Sequence, residues 1–155
     1  MRSTRRLSFF FLMVGVSFPV AGHAQATAPE AWMETWASSQ QIPEPQNALP
    51  AAEVQDVTIR ETFHISAAGA MIRLRLSNAF GTEPLEFTAV HVARQVAVGS
   101  AAIVPGSDTA VMFSGAAAVT VPAGAEYWSD PVAYPVAALS SVTASFHLAT
   151  APAAQ

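Results

Sequence analysis

The chain is 155 residues long, 52% hydrophobic and only 12% charged, with a formal net charge of −4. It contains no cysteine and no lysine, which excludes disulfide staples, thiol chemistry and cysteine-ligated zinc. One domain is the expectation for this length, and the acidic balance leaves no electrostatic footprint for nucleic acid or an anionic membrane surface.

Residues 1–26 read as a secretory signal peptide. Arg2, Arg5 and Arg6 make a basic start, "LSFFFLMVGVSFPVAG" an apolar run, and Ala24 and Ala26 a small-residue exit. Ser17 and Pro19 interrupt the run, which is too short for a comfortable membrane span. Cleavage after Ala26 or Ala24 leaves an exported domain, periplasmic or secreted, of about 130 residues, enough to bury roughly two-thirds of its unfolded surface. "TRRLSFF" is also faintly similar to a twin-arginine signal, so the export route stays open. Beyond this leader only Arg60, Arg73, Arg75 and Arg94 oppose the acids, which run from Glu30 to Asp130.

Next comes "WMETW". If it is extended, Trp32 and Trp36 share a face about 13 Å apart at strand rise. Flat rings so spaced suit stacking on a sugar, and Tyr127 and Trp128 could widen the platform. The same rings equally suit closing one end of the domain or covering a neighbouring one. Trp32, Trp36 and Trp128 are the candidate ligand-binding residues. "QIPEPQNALPAAE" then reads as an extended loop.

From there the period is two. "VQDVTIRETFHIS" places Val57, Ile59, Phe63 and Ile65 on one side, with Thr58, Arg60, Thr62 and His64 on the other. After "AAGA", "MIRLRLS" puts Ile72, Leu74 and Leu76 inward and Arg73, Arg75 and Ser77 outward, and the two runs read as a β-hairpin. "LEFTAVHVA" is a further strand, followed by "AIVP", "AVMFS", "AVTVPAG" and "DPVAYPV", where Pro131 and Pro135 mark an edge. "SSVTASFHL" aligns Val142, Ala144, Phe146 and Leu148 on one face. Short strands with turn signals between them predict an all-β single domain over 27–148, an antiparallel β-sandwich or jelly roll. "ATAPAAQ", 149–155, reads as the start of an interdomain linker.

Hydrolytic chemistry needs a serine on a sharp turn with a base in reach, and no Gly-x-Ser-x-Gly elbow is present. Gly106-Ser107-Asp108 follows Pro105, and Pro-Gly-Ser-Asp is good turn chemistry; Ser129-Asp130-Pro131 reads the same way. His64, His91 and His147 form no short paired spacing, so neither a metal site nor a cofactor is expected.

Ordered segments nevertheless match a known pattern. "WMETWASSQQIPEP", "TIRETFHISAAGAMIRLRLSNAFGTEPLEFTAVHVA", "AIVPGSDTAVMFSG" and "VTVPAGAEYWSDPVAYPVAALSSVTASFHL" together resemble the N-terminal region of bacterial exported SGNH/GDSL-type ester hydrolases. "RLRLSNAFG" and "VPAGAEYWSDPV" are the most diagnostic pieces. In that family a β-rich segment precedes an α/β domain whose Gly-Asp-Ser block, oxyanion glycine and asparagine, and Asp-x-x-His pair carry the chemistry. None of these blocks occurs in this chain, and Asn78 does not match the oxyanion asparagine, so the resemblance transfers no catalytic residue. It implies an accessory β-sandwich of an acyl or acetyl esterase, silent without a hydrolase domain that this chain lacks. A stand-alone carbohydrate-binding module is the rival expectation. On the first view Arg73–Gly81 is scaffold. Asn78 and Gly81 would supply permissive turn angles, and Phe80 an anchor in the core. Arg73 and Arg75 would pair with Glu61 or Glu86, or face the missing domain.

Overall fold

The alternation in "VTIRETFHI" forms β1 (Val57–Ile65), and its partner is the last strand of the chain, β8 (Ser140–Leu148). They run antiparallel in full register, from Val57 opposite Leu148 to Ile65 opposite Ser140. This computed structural model describes residues 31–42 and 44–152; the expected signal peptide at 1–26 lies outside them, as do residues 153–155 of the expected linker. The chain divides into two compact units, Met1–Trp32 and Met33–Gln155, and every strand among the described residues belongs to the second.

Between those two strands come β2 (Arg75–Ser77), β3 (Leu85–Phe87), β4 (Ala89–Ala93), β5 (Thr109–Ala110), β6 (Val119–Val121) and β7 (Glu126–Trp128). A four-stranded sheet has the order β1-β8-β4-β5, while β2 pairs β7 and β3 pairs β6. All these pairings are antiparallel. Only two three-residue 3₁₀ turns, Pro45–Asn47 and Ala51–Glu53, are helical among the described residues. The fold is therefore all-β, as the periodicity predicts. No helix among the described residues is long and apolar enough to cross a membrane.

One face of the four-stranded sheet supplies Ile65, Val90, Val92, Val142 and Ala144 to a core shared with Leu76, Val111, Phe113, Val119, Val121, Val132 and Tyr134. Phe87 and Phe146 meet at its margin, ring centroids 5.6 Å apart and tilted. Burial of this apolar surface is the main drive for folding in a chain without disulfides. Glu61 sits on the same side of β1 as Ile59 and Phe63 yet stays exposed. β1 is an edge strand, and a charge there discourages pairing with another chain.

The hairpin expected between 57–65 and 71–77 does not form. "MIRLRLS" instead lies antiparallel to 126–136, through β2–β7 and single bridges at Ile72–Val132 and Gly69–Val136. Val132 and Val136 donate their N–H groups across this ribbon, whereas Pro131 and Pro135 have none to give. "LEFTAVHVA" is likewise two strands rather than one. The chain changes sheets at Thr88, whose N–H and hydroxyl both donate to the His147 carbonyl, at 3.0 and 3.3 Å.

Turn chemistry places three further residues. Ser107 N–H donates to Val104 O at 3.1 Å with Gly106 at φ 76°, so Pro-Gly-Ser is a turn. Asp130, by contrast, is a clamp. Its carboxylate accepts the N–H groups of Ser114 (3.0 Å) and Gly115 (2.7 Å), where the backbone is left-handed. Ser129 is buried and satisfied: its hydroxyl donates to Asp130 O and accepts from Leu74 N–H.

The "SNAFG" corner works differently from the expectation. Neither Asn78 nor Gly81 has a positive φ. Asn78 is buried, and its amide Nδ2 donates to Glu83 O (2.9 Å) and Val121 O (3.0 Å). Its backbone carbonyl accepts from Gly81 and Gly124. A Cβ on Gly81 would overlap Asn78 Oδ1, so glycine is needed there for room. Phe80 is an exposed residue and anchors nothing in the core.

Asn78→Ala should cost about 1–3 kcal/mol, because two carbonyls lose their donor, and Gly81→Ala about as much through overlap. In a urea-unfolding double-mutant cycle the pair should cost less than the sum by at least ~0.5 kcal/mol, since removing the amide vacates the space the new methyl needs. Strict additivity would refute this shared space.

Tyr134 carries a buried hydroxyl beside Ser107 with no hydrogen bond of good geometry among the described residues. Burial raises its pKa above the ordinary value, against the opposing pull of the Arg94 charge. The folded chain therefore keeps this proton to higher pH than the unfolded one. That contribution is complete below about pH 10 and is lost as pH climbs above it. Tyr134→Phe should leave neutral-pH stability equal or higher. It should also lessen the alkaline decline, as measured by urea midpoints from about pH 8 to about pH 11. A loss exceeding about 1 kcal/mol at neutral pH would mean the hydroxyl has a partner after all.

Candidate functional site

The sequence singles out three tryptophans, and the structure separates their surroundings. Trp32 belongs to the first unit and is partly exposed. Trp36 packs its ring on Phe63 of β1, centroids 4.3 Å apart at a tilt of 55°. Next to it, Thr35 O accepts the Ser66 N–H (3.3 Å) and hydroxyl (3.1 Å), which pins this segment to the end of β1. Glu34 reaches from the same segment to Arg75 at 3.4 Å.

Trp128 is 52% exposed, the most open of the three. It stands opposite Arg75 in the β2–β7 pair, and the Arg75 and Arg73 guanidinium carbons lie 5.3 and 5.5 Å from its ring centroid. Cations at this range are attracted to the negative face of the indole. Arg73 is further steadied by donating Nε–H to Ser129 O at 2.8 Å. Arg75 pairs with Glu34 and, at 3.7 Å, with Glu126. It does not pair with Glu61 or Glu86, because β2 lies beside β7 and not beside β1 or β3. These ion pairs are well exposed, so each contributes little to stability. Tyr127 is opposite Leu76. Neighbouring strand residues point to opposite faces, so it does not extend the Trp128 platform.

A second constellation was not singled out from the sequence. The polar face of the four-stranded sheet brings Arg60, Ser145 and His147 together with His91 and Asp108 around one groove of about 230 Å³. His91 Nδ1 donates to Asp108 Oδ2 at 2.7 Å, the tautomer being set because a carboxylate can only accept. Ser145 is the cross-strand partner of His91. A serine–histidine–acid relay would need Ser145 Oγ on the free imidazole nitrogen. Here Ser145 Oγ instead accepts Arg60 Nε–H at 2.9 Å. Polar alternation on β1 and β8 was legible, but only the register shows that these polar rows are neighbours.

A cleft of about 330 Å³ opens beside Asn78 and Gly81, lined by Leu49, Val54, Ile59, Leu85 and Phe87 among others. Among the described residues no three His, Asp or Glu side chains converge to hold a metal ion. The chain matches no protein-family model and no curated protein.

Trp128→Ala removes the ring that both arginines approach without opening the core. It should lower stability by no more than about 1 kcal/mol in urea unfolding; a larger loss would make the cluster a fold element rather than a recognition surface.

Proposed function

We propose that this domain is the non-catalytic β-sandwich of an exported SGNH/GDSL-type ester hydrolase, and that the Arg73–Trp128–Arg75 face is where it meets the hydrolase domain. The observation that carries the reading is that face itself. A half-exposed indole and two arginines stand together on a two-stranded ribbon, and Trp, Tyr and Arg are the residues that concentrate binding energy at protein interfaces. The ordered resemblance of "RLRLSNAFG" and "VPAGAEYWSDPV" supports it, since these two segments supply the arginines and the tryptophan.

The local chemistry agrees with a scaffold role. Ser107 and Ser129 spend their hydroxyls on backbone groups, and Ser145 Oγ is engaged by a guanidinium rather than by a base. An ester hydrolase gains most of its rate from an activated nucleophile and preorganised oxyanion donors.

Two measurements test the proposal. Reading the gene past the codon for Gln155 in all three frames should reveal a Gly-Asp-Ser block. The purified chain should turn over p-nitrophenyl acetate no faster than buffer; turnover abolished by Ser145→Ala or His91→Ala would end the scaffold reading. The exposure of Trp128 also favours a second reading, carbohydrate binding. A saturable tryptophan-fluorescence change with a polysaccharide, lost in Trp128→Ala, would select it instead.

A further inference from the structure

Three of the four arginines beyond the expected leader have their surroundings accounted for, at the Trp128 face and beside Tyr134. Arg60 stands elsewhere, at the groove on the polar face. Its Nε–H donates to Ser145 Oγ at 2.9 Å and Nη1 to Ala101 O at 2.6 Å. Both acceptors are neutral, and no carboxylate among the described residues lies within ion-pair distance of this guanidinium. Two hydrogen bonds orient the fork, and its remaining N–H groups have no hydrogen-bond partner among the described residues.

The neighbours complete a set of donors. Ser145 Oγ is already accepting, so its own proton is available to donate. It is nearly buried and lines the groove, as does Ala89. His147 on β8 donates Nδ1–H to Val57 O at 2.9 Å, and His91 on β4 donates Nδ1–H to Asp108. Each ring is thereby fixed in one tautomer with Nε2 uncommitted to a strong hydrogen bond. Asp56, which precedes β1, approaches His147 Nε2 only to 3.7 Å.

We propose that this groove binds a small oxyanion, a carboxylate or a sulfate- or phosphate-like group, through Arg60 and Ser145. The other charged or imidazole side chains near it are His147 from β8, His91 from β4, Asp108 before β5, which is bonded to His91, and Asp56 before β1. A guanidinium fork and a serine hydroxyl suit the paired oxygens of an oxyanion.

The test uses the full chain, labelled with nitrogen-15, and two anionic probes at neutral pH, sodium lactate and sodium sulfate. Chloride holds ionic strength fixed. Either probe should give saturable shifts confined to Arg60, His91, Ser145 and His147, with roughly millimolar affinity. Saturation by lactate alone assigns carboxylates and by sulfate alone tetrahedral anions; both outcomes support the site. Arg60→Gln should weaken binding at least about tenfold. Shifts that never saturate, or that map elsewhere, would overturn the proposal. So would wild-type affinity in Arg60→Gln. The mapping on the unmutated chain decides even where a variant fails to fold. Failure here leaves the Arg73–Trp128–Arg75 docking face untouched.

Discussion

The pairing of β1 with β8 is the constraint on which the remaining structure rests. It joins residues 57–65 to residues 140–148 and so closes the chain between them, with every other strand, into one loop. Loop-closure entropy grows only logarithmically with length, so such a contact is thermodynamically tolerable once its apolar face is buried. Register is then decided by the core. A slip of one residue would carry Val142, Ala144 and Leu148 to the solvent side. The same register sets Arg60 against Ser145, Thr62 against Thr143 and Thr58 against His147. Hydrophobic burial on one face thereby dictates which polar groups meet on the other, and β8, central between β1 and β4, brings His91 into the same row.

Small polar side chains rivet the rest. Asn78 joins the corner after β2 to the carbonyl of Val121 in β6, Ser129 links the chain before β2 to that after β7, and Ser107 bonds the backbone of Arg94 and Val104. Gln55 closes the far end. Its side chain donates to Ala149 O at 2.6 Å and accepts from Ala151 N–H at 3.1 Å, so the residues just beyond β8 are tied back to the segment before β1. The buried Asn78, Ser107 and Ser129 are each satisfied within the fold, which is what burial of a polar atom demands; Gln55 makes its bonds at the surface. In a chain with no cysteine such contacts do locally what a disulfide would do covalently.

The two polar surfaces differ in electrostatic character. Around Trp128 the Arg75 charge is compensated by Glu34 and Glu126, leaving aromatic and guanidinium planes as the recognisable features. In the groove no carboxylate among the described residues pairs with Arg60. The first suits a broad protein face, where charges set orientation more than affinity. The second suits a small anion.

Much of this was determined by the amino-acid sequence alone. Period-two alternation depends only on the geometry of an extended chain, so the faces of β1 and β8, the Pro-Gly turn before Ser107 and the all-β class could be read from the order of residues. Partner choice could not. Val57–Ile65 carries an alternation that several strands could match, and only the shared core selects β8 over the nearby 71–77 segment. The role of Gly81 was equally hidden, because the volume it must leave vacant is filled by Asn78, whose side chain turns back into the corner. The groove was hidden for the same reason. Arg60, His91, Asp108, Ser145 and His147 are scattered over the chain with no motif spacing, and they become a site only because tertiary register lays three strands side by side.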